Sequence, residues 1–349
     1  MDTQQFEARK REHIQHSLNS AHQAVGLNGL DQIHLVHEAL PELNLEEIQL
    51  ESKCLGRTTS TPFYIAGMTA GHQDAIRINR TLALACQKRG WAMGVGSQRR
   101  DLETGGEGGL LDQWKSLRDE VPDLSLFANI GITQLIHASI AQLRRLVAEL
   151  NAQALVVHTN VLQEAMQVEG TPQFKGGLEA LRKCCSELGA PVILKETGCG
   201  FSRQTLERLA DLGLAAVDVS GLGGTHWGRI EGARAENSTV QSIASVTFGN
   251  WGEPTTQSVQ SAAGVLKGAE TWASGGVRTG LDAAKLIALG AHRVGYAKPA
   301  LEAALGGDER LDFWMQTQEF ELRVALLCTG SLNCEVLRQK ESVWKRSGT

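Results

Sequence analysis

The sequence predicts an α/β chain folded as a TIM (β/α)8 barrel, with an N-terminal helical arm before it and one long loop after the sixth strand. Three observations lead there. Short apolar runs at Phe63–Gly67, Trp91–Gly96, Leu124–Ile130, Ala154–His158, Val192–Lys195, Ala216–Ser220, Trp272–Gly275 and Val294–Ala297 alternate with helical patterns such as Asp74–Arg89, Ile140–Leu150, Gly177–Leu188 and Arg203–Leu212. Continuous apolar strands separated by helices imply a parallel sheet covered by helices. Eight such units without a dinucleotide-type GxGxxG favour a barrel over a doubly wound sheet. The third observation is the stretch Glu270–Gly280, which reads as strand, Gly275-Gly276 turn and helix start. Leu281, Ala284, Ile287 and Ala288 follow at helical spacing, Gly290 ends the helix, and Arg293–Lys298 opens the next strand.

The chain before the barrel reads differently. Gln4 to Val25 looks helical and mostly polar, and residues 1–55 form an arm; residues 56–349 form the barrel domain. Thr58–Pro62 marks a turn before the first buried strand. The length of 349 residues alone suggests two domains, and a single barrel with insertions fits equally. A hydrophobic fraction of 42% is ample for a large core, and a net charge of −5 gives no reason to expect nucleic-acid binding. Seven cysteines, with no CxxC pair, no metal spacing and Cys184 next to Cys185, point to reduced thiols and a cytoplasmic protein. Arg9, Lys10 and Arg11 precede no apolar stretch, so neither a signal peptide nor a membrane span is expected. Gly221–Glu253 is too long for a plain strand-to-helix loop. It reads equally as a lid over a substrate or as a floppy insertion, and it carries Trp227, Arg229, Glu231 and Trp251.

Polar residues at the C-terminal ends of barrel strands face the active site. Here those ends read Met68-Thr69-Ala70-Gly71, Gly96-Ser97-Gln98-Arg99, Ala128-Asn129-Ile130-Gly131, His158-Thr159-Asn160 with Gln163-Glu164, and Lys195-Glu196-Thr197-Gly198. Asp218-Val219-Ser220-Gly221 with Gly223-Gly224-Thr225, Ser274-Gly275-Gly276 and Ala297-Lys298 complete the ring. A full ring of hydrogen-bonding groups beside glycines predicts an enzyme. Lys195, ending an apolar strand, needs an anionic partner: either the N1/O2 edge of a reduced flavin or its neighbour Glu196. Asn129, Ser97, Thr69 and Thr225 suit the polar edge of an isoalloxazine ring or a ribityl chain. The backbone around Gly275-Gly276 and Ala297-Lys298 suits its phosphate, helped by a helix start.

Taken in order, these residues resemble the type 2 isopentenyl-diphosphate isomerases, FMN-dependent barrel enzymes. The resemblance rests on Arg9-Lys10 with His13, Met68–Gly71, Gly96–Arg99, Ala128–Gly131 and His158–Glu164. It continues through Lys195–Gly200, Gly223–Thr225, Trp251–Thr255 and Ala273–Gly280. Two departures are visible: Ala70 where the family usually has glycine, and Glu253 where an apolar residue is common.

The resemblance implies interconversion of isopentenyl and dimethylallyl diphosphate without net oxidation, in isoprenoid biosynthesis. It implies FMN, reduced by NADPH, as acid and base, with Mg²⁺ on the diphosphate. Arg9, Lys10 and His13, with Ser97, Gln98 and Arg99, are then expected to bind substrate, Glu164 to ligate Mg²⁺, and His158, Asn160 and Gln163 to face the reacting alkene. An amide does not titrate near neutral pH, so Gln163 positions rather than protonates. Trp227 and Glu231 match family positions near the substrate. FMN is expected at Met68, Thr69, Ala70, Ser97, Asn129, Lys195, Ser220 and Thr225, and at Gly275, Gly276, Val277, Arg278, Ala297 and Lys298. The resemblance also implies a homo-oligomer, tetramer or octamer. Two other readings stay open: an FMN barrel of the 2-hydroxyacid oxidase type, and a flavin- or phosphate-binding barrel without activity.

Overall fold

In the computed structural model, residues 3–68, 73–104 and 110–347 are described, the side chains of residues 3–10, 73–74, 103–104 and 110–112 excepted. Eight parallel strands close a barrel: β1 (Phe63–Ile65), β2 (Ala92–Gly94), β3 (Leu126–Gly131), β4 (Ala154–Thr159), β5 (Val192–Glu196), β6 (Ala216–Asp218), β7 (Glu270–Ala273) and β8 (Arg293–Tyr296). They neighbour one another in sequence order, and β8 returns to β1 with Gly295 opposite Tyr64. All eight expected strands are present.

The two-residue period of each strand sorts the core into two layers. Tyr64, Ala92, Phe127, Ala154, Val156, Ile193, Ala216 and Trp272 fill the barrel interior. Their neighbours Phe63, Ile65, Met93, Leu126, Ala128, Leu155, Val157, Leu194, Val217 and Val294 pack outward against the helices. Gly295 is glycine because a Cβ there would lie 2.3 Å from Tyr64 Cζ. The Tyr64 and Phe127 rings lie 4.9 and 5.3 Å from Trp272. Below them the fully buried Arg293 donates to Thr59 Oγ1 (2.8 Å) and to the Thr61 and Phe63 carbonyls. The antiparallel hairpin Ser52–Cys54/Arg57–Thr59 carries Thr59, and its Cys54 packs into the same interior cluster.

Several helices bear on the site: α1 (Thr3–Leu18), α2 (Gln73–Arg89), α3 (Val161–Met166), α4 (Trp227–Arg234), α5 (Val240–Thr247), α6 (Gly280–Ala288), α7 (Lys298–Leu305) and α8 (Asp308–Cys328). The arm helix stops at Leu18, short of the expected Val25. Asn19 is the cause: its side chain accepts from the Ala21 N–H at 3.0 Å and starts a separate 3₁₀ turn over Ser20–His22.

The expected loop at Gly221–Glu253 is a correction, because it holds two helices, α4 and α5. His226 caps α4 through the Arg229 N–H (3.2 Å), and Thr239 caps α5 through the Ser242 N–H (3.3 Å). Arg229 then ties the arm to the insertion, donating to the carbonyls of Gln23 (2.7 Å) and Gly249 (2.7 Å).

The long helix α8 packs on the outside of the barrel against α2. Arg89 grips Asp312 with two bonds of 2.8 and 3.0 Å, and Lys88 adds a third contact at 3.1 Å. Hydrogen bonding to Arg89 holds the Asp312 carboxyl down at about 2. A depressed carboxyl stabilises the fold above its unfolded value near 4, and that contribution is lost as pH falls through about 2. Asp312→Asn is therefore expected to cost roughly 1 kcal/mol at neutral pH. It should also flatten the fall in stability between about pH 4 and pH 2, as read by urea unfolding across that range.

Candidate active site

The same period that buries Phe127, Val156, Ile193 and Ala216 turns the residue two further along each strand inward, at the barrel mouth. These are Asn129, His158, Lys195 and Asp218, and the pairing register sets His158 opposite Lys195 and Lys195 opposite Asp218. Ser274, two beyond Trp272, completes the row. Above it opens a cavity of about 520 Å³, lined by His13 and Gln23 from the arm and by loops after the strands. That is the size range of a small-molecule or cofactor site.

Lys195 is buried, and its ammonium makes three contacts: Asp218 Oδ2 at 3.0 Å, the Glu196 carbonyl at 3.0 Å and Ser274 Oγ at 3.2 Å. Ser274 Oγ in turn donates to Asp218 Oδ1 at 2.7 Å. Asp218 is thus the anionic partner that the sequence left between a flavin edge and Glu196. The Glu196 carboxylate turns the other way. One of its oxygens accepts from the backbone N–H groups of Thr197 (2.6 Å), Gly198 (2.7 Å), Cys199 and Gly200 (3.0 Å), so the loop after β5 wraps around it. Burial pushes this carboxyl up to about 7, while Cys199, Gly198 and Thr197 pull the other way. With four N–H donors on one oxygen, we assign the ionised form at neutral pH.

The glycine loops pack backbone on backbone. A Cβ on Gly275 (φ +101°) would lie 2.2 Å from the Gly221 carbonyl oxygen. One on Gly276 (φ +75°) would lie 2.4 Å from that of Gly223. Arg278 clamps this cradle, donating to the carbonyls of Gly276 (2.8 Å) and Gly223 (3.1 Å), so its guanidinium supports the loop. The start of α6 is occupied internally. The N–H groups of Arg278 and Thr279 donate to Asp282, and that of Gly280 donates to Glu321. At this end the cavity is lined instead by Gly275–Val277 and by the start of α7, through Ala297, Lys298 and Pro299.

The remaining expected residues fall into three groups. Ser97, Arg99, Met68, Ser220 and Thr225 line the cavity, and Gln23 of the arm donates to Thr225 Oγ1 at 3.1 Å. Ser220 takes a left-handed φ of +39°, and its N–H donates to Asp218. Gln98 does not line the cavity. It is buried, and it clamps Asn129 by accepting from the Asn129 N–H (3.1 Å) and donating its own N–H to the Asn129 carbonyl (2.7 Å). The Asn129 amide donates to the Val95 carbonyl (2.9 Å), so its Oδ1 is left to accept from His158 Nδ1 (2.9 Å). That bond puts a proton on Nδ1 of His158, because an amide oxygen only accepts. Thr69 and Ala70 lie outside the described residues, as do the side chains of Arg9 and Lys10. Glu253 takes part through its backbone, donating to the Cys199 carbonyl (2.7 Å) and accepting from the Leu222 N–H (2.9 Å), so its side-chain type matters little there.

A polar chain forms the opposite wall. His13 Nε2 lies 2.9 Å from Glu231 Oε1, which also accepts from Gln163 Nε2 at 3.0 Å. Gln163 Oε1 accepts from Asn160 Nδ2 (3.1 Å), which also reaches Glu164 Oε1 (3.1 Å). Burial works to raise the Glu231 carboxyl, and its bonds and charges with His13 and Arg234 outweigh it, leaving the group below its ordinary value. Arg234 additionally binds Glu12 (3.0 Å) and Glu169 (2.9 Å), fastening α1 to α4. Trp227 meets His13 edge to face, with ring centres 5.1 Å apart. Among the described residues no group of three or more His, Cys, Asp or Glu is placed to hold a metal ion. Glu164 stands as a single carboxylate beside the cavity, its Oε2 accepting from the Thr171 N–H at 2.7 Å.

Residues 115–345 match the family of FMN-dependent dehydrogenases. The isopentenyl-diphosphate delta-isomerase of Legionella pneumophila (strain Lens) is 51% identical, over 96% of this chain and 97% of its own. The protein of that name from Bdellovibrio bacteriovorus is 48% identical over 97% and 98%, and that from Synechococcus sp. 42% over 95% and 94%. The chain belongs to the isopentenyl-diphosphate delta-isomerase family. Among solved structures, lactate oxidase from Pediococcus acidilactici superposes with a TM-score of 0.66 at 16% identity, covering 98% of this chain and 94% of that one. Mandelate oxidase does so with 0.65 at 17%, covering 99% and 98%. These likenesses show the shared barrel.

FMN fits the cavity by its chemistry: a glycine loop whose backbone lines one end, a buried lysine, and polar side chains between them. The sequence reading placed Asp218, Ser274 and Glu196 in the ring of strand ends without giving them a binding or catalytic role, and it missed Gln23. The signal for Asp218 was the inward period of β6 carried one step beyond Ala216. Gly276→Ala places a Cβ against the Gly223 carbonyl in a backbone conformation that alanine avoids. It is expected to weaken FMN binding by about tenfold or more with the fold retained, as read by flavin fluorescence titration and far-UV circular dichroism.

Proposed function

We propose that this chain interconverts isopentenyl and dimethylallyl diphosphate in the described cavity, with FMN in its reduced form. NADPH is the proposed source of electrons, Mg²⁺ the proposed partner of the diphosphate, and isoprenoid biosynthesis the proposed setting. The observation that carries the reading is that His13, Gln163, Asn160 and Glu164, linked in one chain through the buried Glu231, line the same cavity as Lys195 and the glycine loop. A polar alkene-side wall and a flavin-side floor thus enclose one space.

When bound and reduced, FMN supplies the acid–base chemistry at the alkene. The protein's own groups hold, orient and exclude water. Gln163 has its NH₂ committed to Glu231 and its oxygen to Asn160, so the amide stands in one orientation over the cavity. His13 and Arg234 keep Glu231 ionised, and Glu231 in turn keeps that amide from turning over. Arg99 and Ser97 line the diphosphate end in this reading, and Arg9 and Lys10 are proposed to add their charge to it. Arginine grips phosphate oxygens in a fork, and lysine adds point charge. Glu164 supplies the one carboxylate that Mg²⁺ needs when diphosphate oxygens and water complete its shell.

A homo-oligomer and a cytoplasmic location are part of the same proposal. All seven cysteines are free thiols, which supports a reducing compartment. No helix among the described residues is long and apolar enough to cross a membrane.

The test follows isopentenyl diphosphate anaerobically with FMN, Mg²⁺ and NADPH or dithionite. Dimethylallyl diphosphate is expected in reduced samples and not with oxidised flavin. Gln163→Ala is expected to lower turnover by about 100-fold while FMN binds as before. Absence of conversion with a saturated, reduced flavin, or turnover of lactate or glycolate instead, refutes the proposal. Glu164→Gln is expected to raise the Mg²⁺ concentration needed for half-maximal rate by about tenfold; an unchanged requirement removes Glu164 from the metal's shell.

A further inference from the structure

We infer that Asp218 sets the field Lys195 presents to the cofactor, and so the reduction potential of bound FMN. This rests on the reading that FMN occupies the cavity with its pyrimidine edge toward Lys195. Asp218 is 1% exposed and reaches Lys195 from the next strand, opposite it in register, at 3.0 Å. An ammonium has three N–H donors. All three have protein acceptors here: Asp218, Ser274 Oγ and the Glu196 carbonyl. Lys195 therefore acts on a ring above it chiefly through its charge rather than by a donated hydrogen bond.

That charge is compensated. Lys195 lines the cavity and the Asp218 carboxylate does not; the carboxylate is held by Ser274 Oγ at 2.7 Å and the Ser220 N–H at 3.3 Å. Ser274 accepts from Lys195 and donates to Asp218, so the three groups lock as one unit. Its net charge is zero, and its field at the ring is that of a short dipole with the positive end forward. Reduced flavin carries more negative charge than oxidised flavin, so a bare lysine would favour reduction more strongly than this pair does. Asp218 is a positioning residue in this account. It acts on the cofactor through Lys195 and touches no reacting atom.

The experiment measures the midpoint potential of bound FMN, against a dye of known potential, in the wild type, Asp218→Asn, Lys195→Met and the double variant. Asp218→Asn is expected to shift the potential positive by about 30 mV, a tenfold gain in preference for reduced flavin. Lys195→Met is expected to shift it negative by a similar amount. Each single variant leaves one buried charge without its partner and is at risk of misfolding. The double variant leaves none. It is expected within about threefold of the wild-type preference, because a neutral pair replaces a neutral pair. A double variant tenfold or more toward oxidised flavin makes Lys195 an uncompensated cation and overturns the inference, as does Asp218→Asn within twofold of wild type. A merely structural Asp218 would change unfolding midpoints and leave the potential alone. A wild-type chain that binds no FMN refutes the cavity reading itself; bound FMN with unmoved potentials refutes this inference only.

Discussion

Parallel pairing of β4, β5 and β6 aligns His158, Lys195 and Asp218 in one row, and the rest of the site depends on that register. A slip of one residue would turn all three outward and bring Val157, Leu194 and Val217 into the barrel mouth. What prevents the slip is the two-layer core beneath. Trp272, Tyr64 and Phe127 fill the interior, and Gly295 leaves room for the Tyr64 ring. Packing below the mouth therefore decides the chemistry at the mouth. The buried Lys195–Asp218 pair costs desolvation and is tolerable only because Ser274 and two backbone groups satisfy the remaining donors and acceptors.

The phosphate end rests on a different constraint, close approach of main chain to main chain. Gly221–Gly224 and Gly275–Gly276 touch through backbone atoms, and Arg278 fastens the two loops by their carbonyls. The opposite wall is held by side chains. There Arg234 and Glu231 weld α1 to α4, so the arm that carries His13 is fixed relative to Gln163. Cradle and wall meet at Gln23 and Thr225, where the arm pairs with the loop after β6.

The barrel was legible in the sequence because its strands are continuous apolar runs, and the mouth was legible because each run ends in a polar residue. The helices within Gly221–Glu253 were not. Val240, Ile243 and Val246 on α5 are 76%, 62% and 81% exposed, so the burial that usually accompanies apolar residues at helical spacing is missing there. The end of α1 at Leu18 was hidden for a local reason, a side-chain cap by Asn19. Asp218 stood in view as a strand end, but its tie to Lys195 depends on which strands pair, and spacing along one chain does not give that. Gln98 reads as a binding residue and is in fact spent on the Asn129 backbone. The start of α6 reads as an anion site, yet Asp282 and Glu321 already occupy its N–H groups.

The most direct measurement is a crystal structure of the chain grown with FMN. The account predicts the flavin phosphate on the backbone of Gly275–Val277 and the start of α7, and the pyrimidine edge over Lys195. The Lys195–Asp218 contact should remain intact beneath it. A flavin bound outside the row of Asn129, His158 and Lys195, or a phosphate seated on the α6 start with Asp282 displaced, would contradict it.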